Sequence, residues 1–203
     1  MNDSRPTLGS PALPRWQRIL VNLPGIGLAA LWGLGEATFF FIIPDVFLSL
    51  VAVLQWPRTG RHVLSAIAGA LLGGALLFHW AAADHQKALA AIARVPFIRE
   101  RMLTEVDEGF QTQGLYALLW GSLQGIPYKL YAVQAPQYTR ASNFLQATAP
   151  ARAVRFLLVW GAFGWIAGQL RRRFALRTGH LLLIYSVVWI AVYAFYWGRI
   201  LSG

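Results

Sequence analysis

Gly35-Glu36-Ala37-Thr38-Phe39-Phe40-Phe41-Ile42-Ile43-Pro44-Asp45-Val46 is the stretch whose reading decides the fold. It lies within apolar sequence running over residues 25–56, yet it holds two carboxylates and a proline, and Gly25, Gly27, Gly33 and Gly35 lead into it. An unbroken helix over 25–56 would overshoot a bilayer core about 30 Å thick. Proline removes a backbone donor and breaks a helix. The stretch therefore predicts a helical hairpin that enters and leaves a membrane on one side, with its tip near 41–44. Residues 114–136 repeat the theme: an apolar run over 115–123, a break at Gly125-Ile126-Pro127, then Tyr128, Lys129 and a second run closed by Pro136. Glu36, Asp45 and Lys129 would each cost roughly 2.5–3.5 kcal/mol at a helix centre in lipid, so each needs a partner, a wet cavity or neutralisation.

Composition agrees with a membrane protein. The chain is 57% hydrophobic and 13% charged, about half the charge of an ordinary soluble domain. Residues 63–81, 153–170 and 181–201 are long and apolar enough to span, and Trp189, Tyr193, Tyr196 and Trp197 crowd the last of them as an interface belt does. The net charge of +10 comes from basic residues in loops between apolar runs, with no nucleic-acid motif, which argues against a nucleic-acid partner. With no cysteine, disulfides and thiolate metal sites are excluded. Arg15 and Arg18 ahead of residues 19–32 imitate a signal peptide, but Pro24 interrupts its core and no cleavage site stands clear, so the segment is expected to be retained.

The expected fold is all-α and integral to a membrane: two inverted repeats, each a re-entrant helical hairpin plus a transmembrane helix. Residues 1–18 form a mobile cytoplasmic tail and 19–175 the membrane domain. Within it lie hairpin 25–56, span 63–81, amphipathic segment 84–113, hairpin 114–136 and span 153–170, and a transmembrane helix over 180–201 follows. Ile98, Met102, Val106 and Phe110 recur every four residues among charged neighbours, giving one surface helix that Pro96 is placed to start. If each hairpin returns to its own side, Arg5, Arg15, Arg18, Arg58, Arg61, Arg171, Arg172, Arg173 and Arg177 share one face, the expected cytoplasmic one with the N-terminus. The opposite face takes Lys87, Arg94, Arg99, Arg101, Arg140, Arg152 and Arg199, offset by Asp84, Glu100, Glu105, Asp107 and Glu108.

The segment from Glu36 to Val46 resembles the acidic, aromatic, Pro-Asp-Val segment of the YqaA-like branch of the DedA superfamily, the VTT-domain or SNARE-associated membrane proteins. Gly125-Ile126-Pro127-Tyr128-Lys129 is similar to that branch's second-hairpin motif, and Ala151-Arg152-Ala153-Val154-Arg155-Phe156 to its basic, aromatic lead into the next helix. The three motifs occur in order over roughly residues 30–175. The branch usually has prolines where this chain has Gly125 and Ile42 or its neighbour. The resemblance implies an inner-membrane protein of bacteria that transports or flips a phosphate-bearing lipid, either a polyprenyl phosphate or a phospholipid.

Glu36, Asp45, Lys129 and Arg155 are the expected substrate- and ion-binding residues, with Pro44, Gly125, Pro127 and Tyr128 at the hairpin tips. Buried acids offer proton coupling. Lysine and arginine offer a phosphate clamp, and the two roles join if the acids release the bases to an anionic headgroup. The bland alternative is that these charges only balance one another in an envelope-maintenance or assembly protein. A lipid-phosphate enzyme is disfavoured because His62, His79, His85 and His180 show no metal spacing and no nucleophile–base cluster. No cofactor is expected. The expected partners are lipids with anionic headgroups and protons, and a second copy of the chain stays open.

Overall fold

The computed structural model describes residues 14–202, so residues 1–13 of the expected tail lie outside the described residues. The rest of that tail is helical from Arg15: α1 (Arg15–Val21) meets α2 (Leu23–Thr38) at a 56° bend. After α2 come α3 (Asp45–Gln55), α4 (Gly60–Ala83), α5 (His85–Ala93) and α6 (Glu100–Gln113), followed by α7 (Ala117–Gln124), α8 (Tyr128–Gln134), α9 (Ala141–Phe174) and α10 (Thr178–Ser202). Among the described residues there is no strand, and α4, α9 and α10 are long and apolar enough to cross a membrane. The belt residues Tyr196 and Trp197 have side chains outside those described.

α4 orders the first half. Ile26 with Ser65, Ala30 with Gly69, and Leu34 with Gly73 are successive neighbours, so α2 and α4 run parallel. The two backbones approach so closely that a Cβ on Gly33 would strike the Ala66 carbonyl and one on Gly69 the Ala30 carbonyl. Small residues at such a seam give helices in lipid the contact they otherwise lack. The chain then reverses over residues 39–44. Trp32 donates from Nε1 to the Ile42 carbonyl at 2.9 Å and stacks on Phe47 at 5.6 Å, folding α3 back along α2. By the start of α4 the chain is again level with α1, where His62 contacts the Leu20 carbonyl at 2.9 Å. This is a hairpin that opens toward the near end of α4, with its tip well along that helix.

The second hairpin opens the other way. α8 begins with Tyr128 against Gly74, inside α4, and ends with Gln134 at His85, just beyond the far end of α4. α7 descends beside it, with Gly121 against Tyr131, and the turn between them is made by Gly125 in the left-handed region (φ 89°) and extended Pro127. α9 runs antiparallel to α4, since Phe144 stacks on Phe78 while Trp160 donates to Thr59 Oγ1. α10 returns along α9 and α3, and its Tyr185 and Trp189 donate to the Val46 carbonyl at 2.6 Å and to Ser49 Oγ at 3.0 Å.

Two expectations are corrected. The segment 84–113 holds two helices, and Pro96 starts neither. They are α5, capped by the Asp84 side chain, and α6, which starts at Glu100; Pro96 lies in the connector, where Phe97 has a positive φ of 69°. A proline that cannot donate and a residue in left-handed geometry stop the first helix rather than nucleate the second. The span placed at 153–170 is part of a 34-residue helix that begins at Ala141 and carries Pro150 inside it. The apolar face of α6 (Met102, Val106, Phe110) is buried in the protein core with α7 and α8.

Candidate functional site

The two hairpin tips meet. Lys129, in the first turn of α8, donates from Nζ to the Phe40 carbonyl at 3.1 Å, and this is a carbonyl left open by the break after α2. Around this contact five ionisable side chains gather from four helices. Glu36 comes from the last turn of α2, Asp45 from the first residue of α3, Lys129 from α8, and Arg152 and Arg155 from α9. All but Arg155 are at most 2% exposed. The three-residue spacing of Arg152 and Arg155 puts them on one face of α9, aimed at the two hairpins.

They pair selectively. Arg155 engages the Asp45 carboxylate through Nη2 at 2.6 Å and Nε at 2.8 Å, a charge-assisted pair. Arg152 pairs with Glu36 and lies between the rings of Tyr128 and Phe156, at 4.9 and 4.6 Å from their centroids. Tyr128 is fixed in turn by a hydrogen bond to Thr148 Oγ1 at 3.2 Å. Asp45 Oδ1 has no hydrogen-bond partner among the described residues, and neither do Arg152 Nε and Nη1. Lys129 makes no ion pair with a carboxylate among them.

Sequence reasoning named Glu36, Asp45, Lys129 and Arg155, and the structure brings all four together. Their pairing differs from the expected acids facing Lys129 and Arg155. The partner of Glu36 is Arg152, which the charge count had assigned to the far-face surface; it is instead fully buried at the depth of the tips. Pro44, Gly125, Pro127 and Tyr128 sit at or beside the two turns as expected.

A cavity of about 140 Å³ lies between the tips, lined by Glu36, Lys129 and Arg155 and walled by Phe41, Ile43, Phe97, Pro127 and Val192. It exceeds what one water needs. Across the Asp45–Arg155 pair, a second space of about 240 Å³ is lined by Asp45, Arg155, Gly125, Leu123 and Leu158. Arg155 therefore borders both. Its side chain is 14% exposed, against 1% for Arg152, so one guanidinium is accessible and the other sealed. Among the described residues no cluster of His, Asp or Glu could hold a metal ion. The chain matches no family profile, no curated protein and no solved structure.

Proposed function

We propose that this protein moves lipids bearing a phosphate headgroup across a membrane, with the phosphate passing between the two hairpin tips. What carries the proposal is the charge of the site: two carboxylates face three bases, so the enclosed group is one positive charge in excess and fits a monoanion. Lysine supplies a point charge to a phosphate and arginine a bidentate fork. Buried charge between broken helices from opposite ends of a helical bundle suits transport, because irregular backbone at membrane depth survives only against protein or a wet cavity. In this reading the hairpins are re-entrant, the halves form an inverted repeat, and the near end, with Arg58, Arg61 and the cluster Arg171, Arg172, Arg173 and Arg177, faces the cytoplasm. The motif resemblance to the DedA superfamily points the same way.

The proposed cycle is an exchange. An anionic headgroup enters the cavity and competes with Asp45 for Arg155. Arg155, which borders both spaces, then presents the headgroup to the second one. Departure of the headgroup restores the Asp45–Arg155 pair.

The absence of cysteine permits a direct occupancy test. Ile43→Cys places a lone thiol in the cavity wall. A water-soluble maleimide should label it, and a short-chain phosphate-bearing lipid should slow labelling at least fivefold. A neutral glycolipid of equal chain length should not. Equal protection by both lipids, or by neither, would remove the phosphate assignment.

A further inference from the structure

The chain carries eight acidic residues in all, and four of them (Glu100, Glu105, Asp107, Glu108) lie on the 14 residues of α6. Asp107 is engaged by Gln111 and by the Tyr138 hydroxyl. Glu105 and Glu108, three apart and so neighbours on the helix, instead line a cleft of about 900 Å³ between α6 and α7. The opposite wall carries Tyr116 and Trp120, one turn apart, with 77% and 55% of their surface uncovered. Tyr131 also lines the cleft; it is 98% buried, and its hydroxyl takes no hydrogen bond among the described residues. Gly121 keeps that hydroxyl's position open, because a Cβ there would collide with it. The ring is enclosed while the hydroxyl opens to the cleft, where it can bond whatever occupies it.

We infer that this cleft binds an organic cation, the amine or quaternary ammonium of a lipid headgroup, between the carboxylates of α6 and the aromatic rings of Tyr116, just ahead of α7, and Trp120 on it. Carboxylates supply the charge, and ring faces attract a diffuse cation by their quadrupole. Among the described residues the one ion pair that ties up either acid, Arg101 with Glu105 at 3.2 Å, joins side chains 72% and 43% exposed, a weak surface contact that an incoming amine can displace. Two carboxylates with no third ligand do not make a metal site, which separates this cleft from a divalent-cation site. A volume of this size accommodates a headgroup. The cleft also shares Ile126 with the cavity between the tips, so the cationic and anionic sites adjoin across one side chain. The pairing selects a zwitterionic phospholipid as the substrate class. The lipid as source of the amine rests on the transport reading above; the cation site itself does not.

The test uses the full chain purified into phosphatidylglycerol nanodiscs, with the fluorescence of Trp120 obtained by difference from Trp120→Phe. One arm titrates choline and ethanolamine; the other replaces part of the lipid with phosphatidylethanolamine or phosphatidylcholine. Saturable changes are expected in both arms, weakened at least tenfold in Glu105→Gln/Glu108→Gln and unchanged in Glu100→Gln. Arg155→Ala should retain the response to free choline and ethanolamine, which separates failure of this site from failure of the phosphate site. Response to the free amines without response to the lipids keeps the cation site and overturns the lipid as its source. No saturable response in either arm, or one indifferent to Glu105 and Glu108, overturns the inference.

Discussion

Arg152→Ala should remove most of the folded protein from the membrane. The guanidinium is fully buried between two aromatic rings and is the ion-pair partner of Glu36. Deleting it leaves a carboxylate without its counter-charge and opens a hole between Tyr128 and Phe156. Removing one partner of a buried pair costs about 3–5 kcal/mol, a large share of the stability of most proteins. Replacing both partners by neutral groups of similar shape is far milder. Arg152→Met with Glu36→Gln should therefore recover much of the folded yield that Arg152→Ala loses. Thermal unfolding of detergent-purified protein, followed by size-exclusion recovery, measures both. If Arg152→Ala unfolds at the wild-type temperature, the pair is not the structural lock described here.

Arg155 should behave in the opposite way, losing function at nearly constant stability. It borders two cavities and keeps some exposure, and the Asp45 it would leave behind lines the second space, where water entering the vacated volume can solvate it. Lipid movement by Arg155→Ala should fall at least tenfold, which corresponds to about 1.4 kcal/mol or more in the transport barrier. Arg155→Lys should recover only part of the rate, since an ammonium keeps the charge but not the fork. Asp45→Asn leaves a neutral partner that cannot compete with phosphate; it should bind the anionic lipid more tightly. Initial rates in proteoliposomes at matched protein incorporation test all three. Equal rates for wild type and Arg155→Ala would leave the charges a purely structural role.

The hairpin breaks could be read from the sequence because glycine, proline and charge inside apolar sequence have few other uses. Both breaks fall within a few residues of Pro44 and Pro127. Arg152 was hidden for a simple reason. It follows Pro150 in a stretch with Gln146 and Thr148, which looks like a loop, and an arginine there counts as surface charge. The signal that places it was its three-residue spacing from Arg155, which puts both on one helix face. The start of α9 at Ala141 was missed for the same cause, since polar residues and a proline conceal a helix that packing stabilises. The division of α5 from α6 depends on Pro96 together with the positive φ at Phe97, whose ring packs on Phe41, a tertiary contact that local propensity does not report. The acid–base partners themselves lie more than 100 residues apart in sequence.

The most direct test of the central claim is leaflet exchange by the purified wild-type protein. Liposomes reconstituted with it would carry a trace of fluorescent lipid, and a membrane-impermeant quencher would report how much reaches the outer leaflet. Phosphate-bearing lipids should exchange much faster than in protein-free vesicles, while a fluorescent neutral glycolipid of the same chains should exchange at the protein-free rate. Exchange of both lipids alike, or of neither above the protein-free rate, would contradict the account.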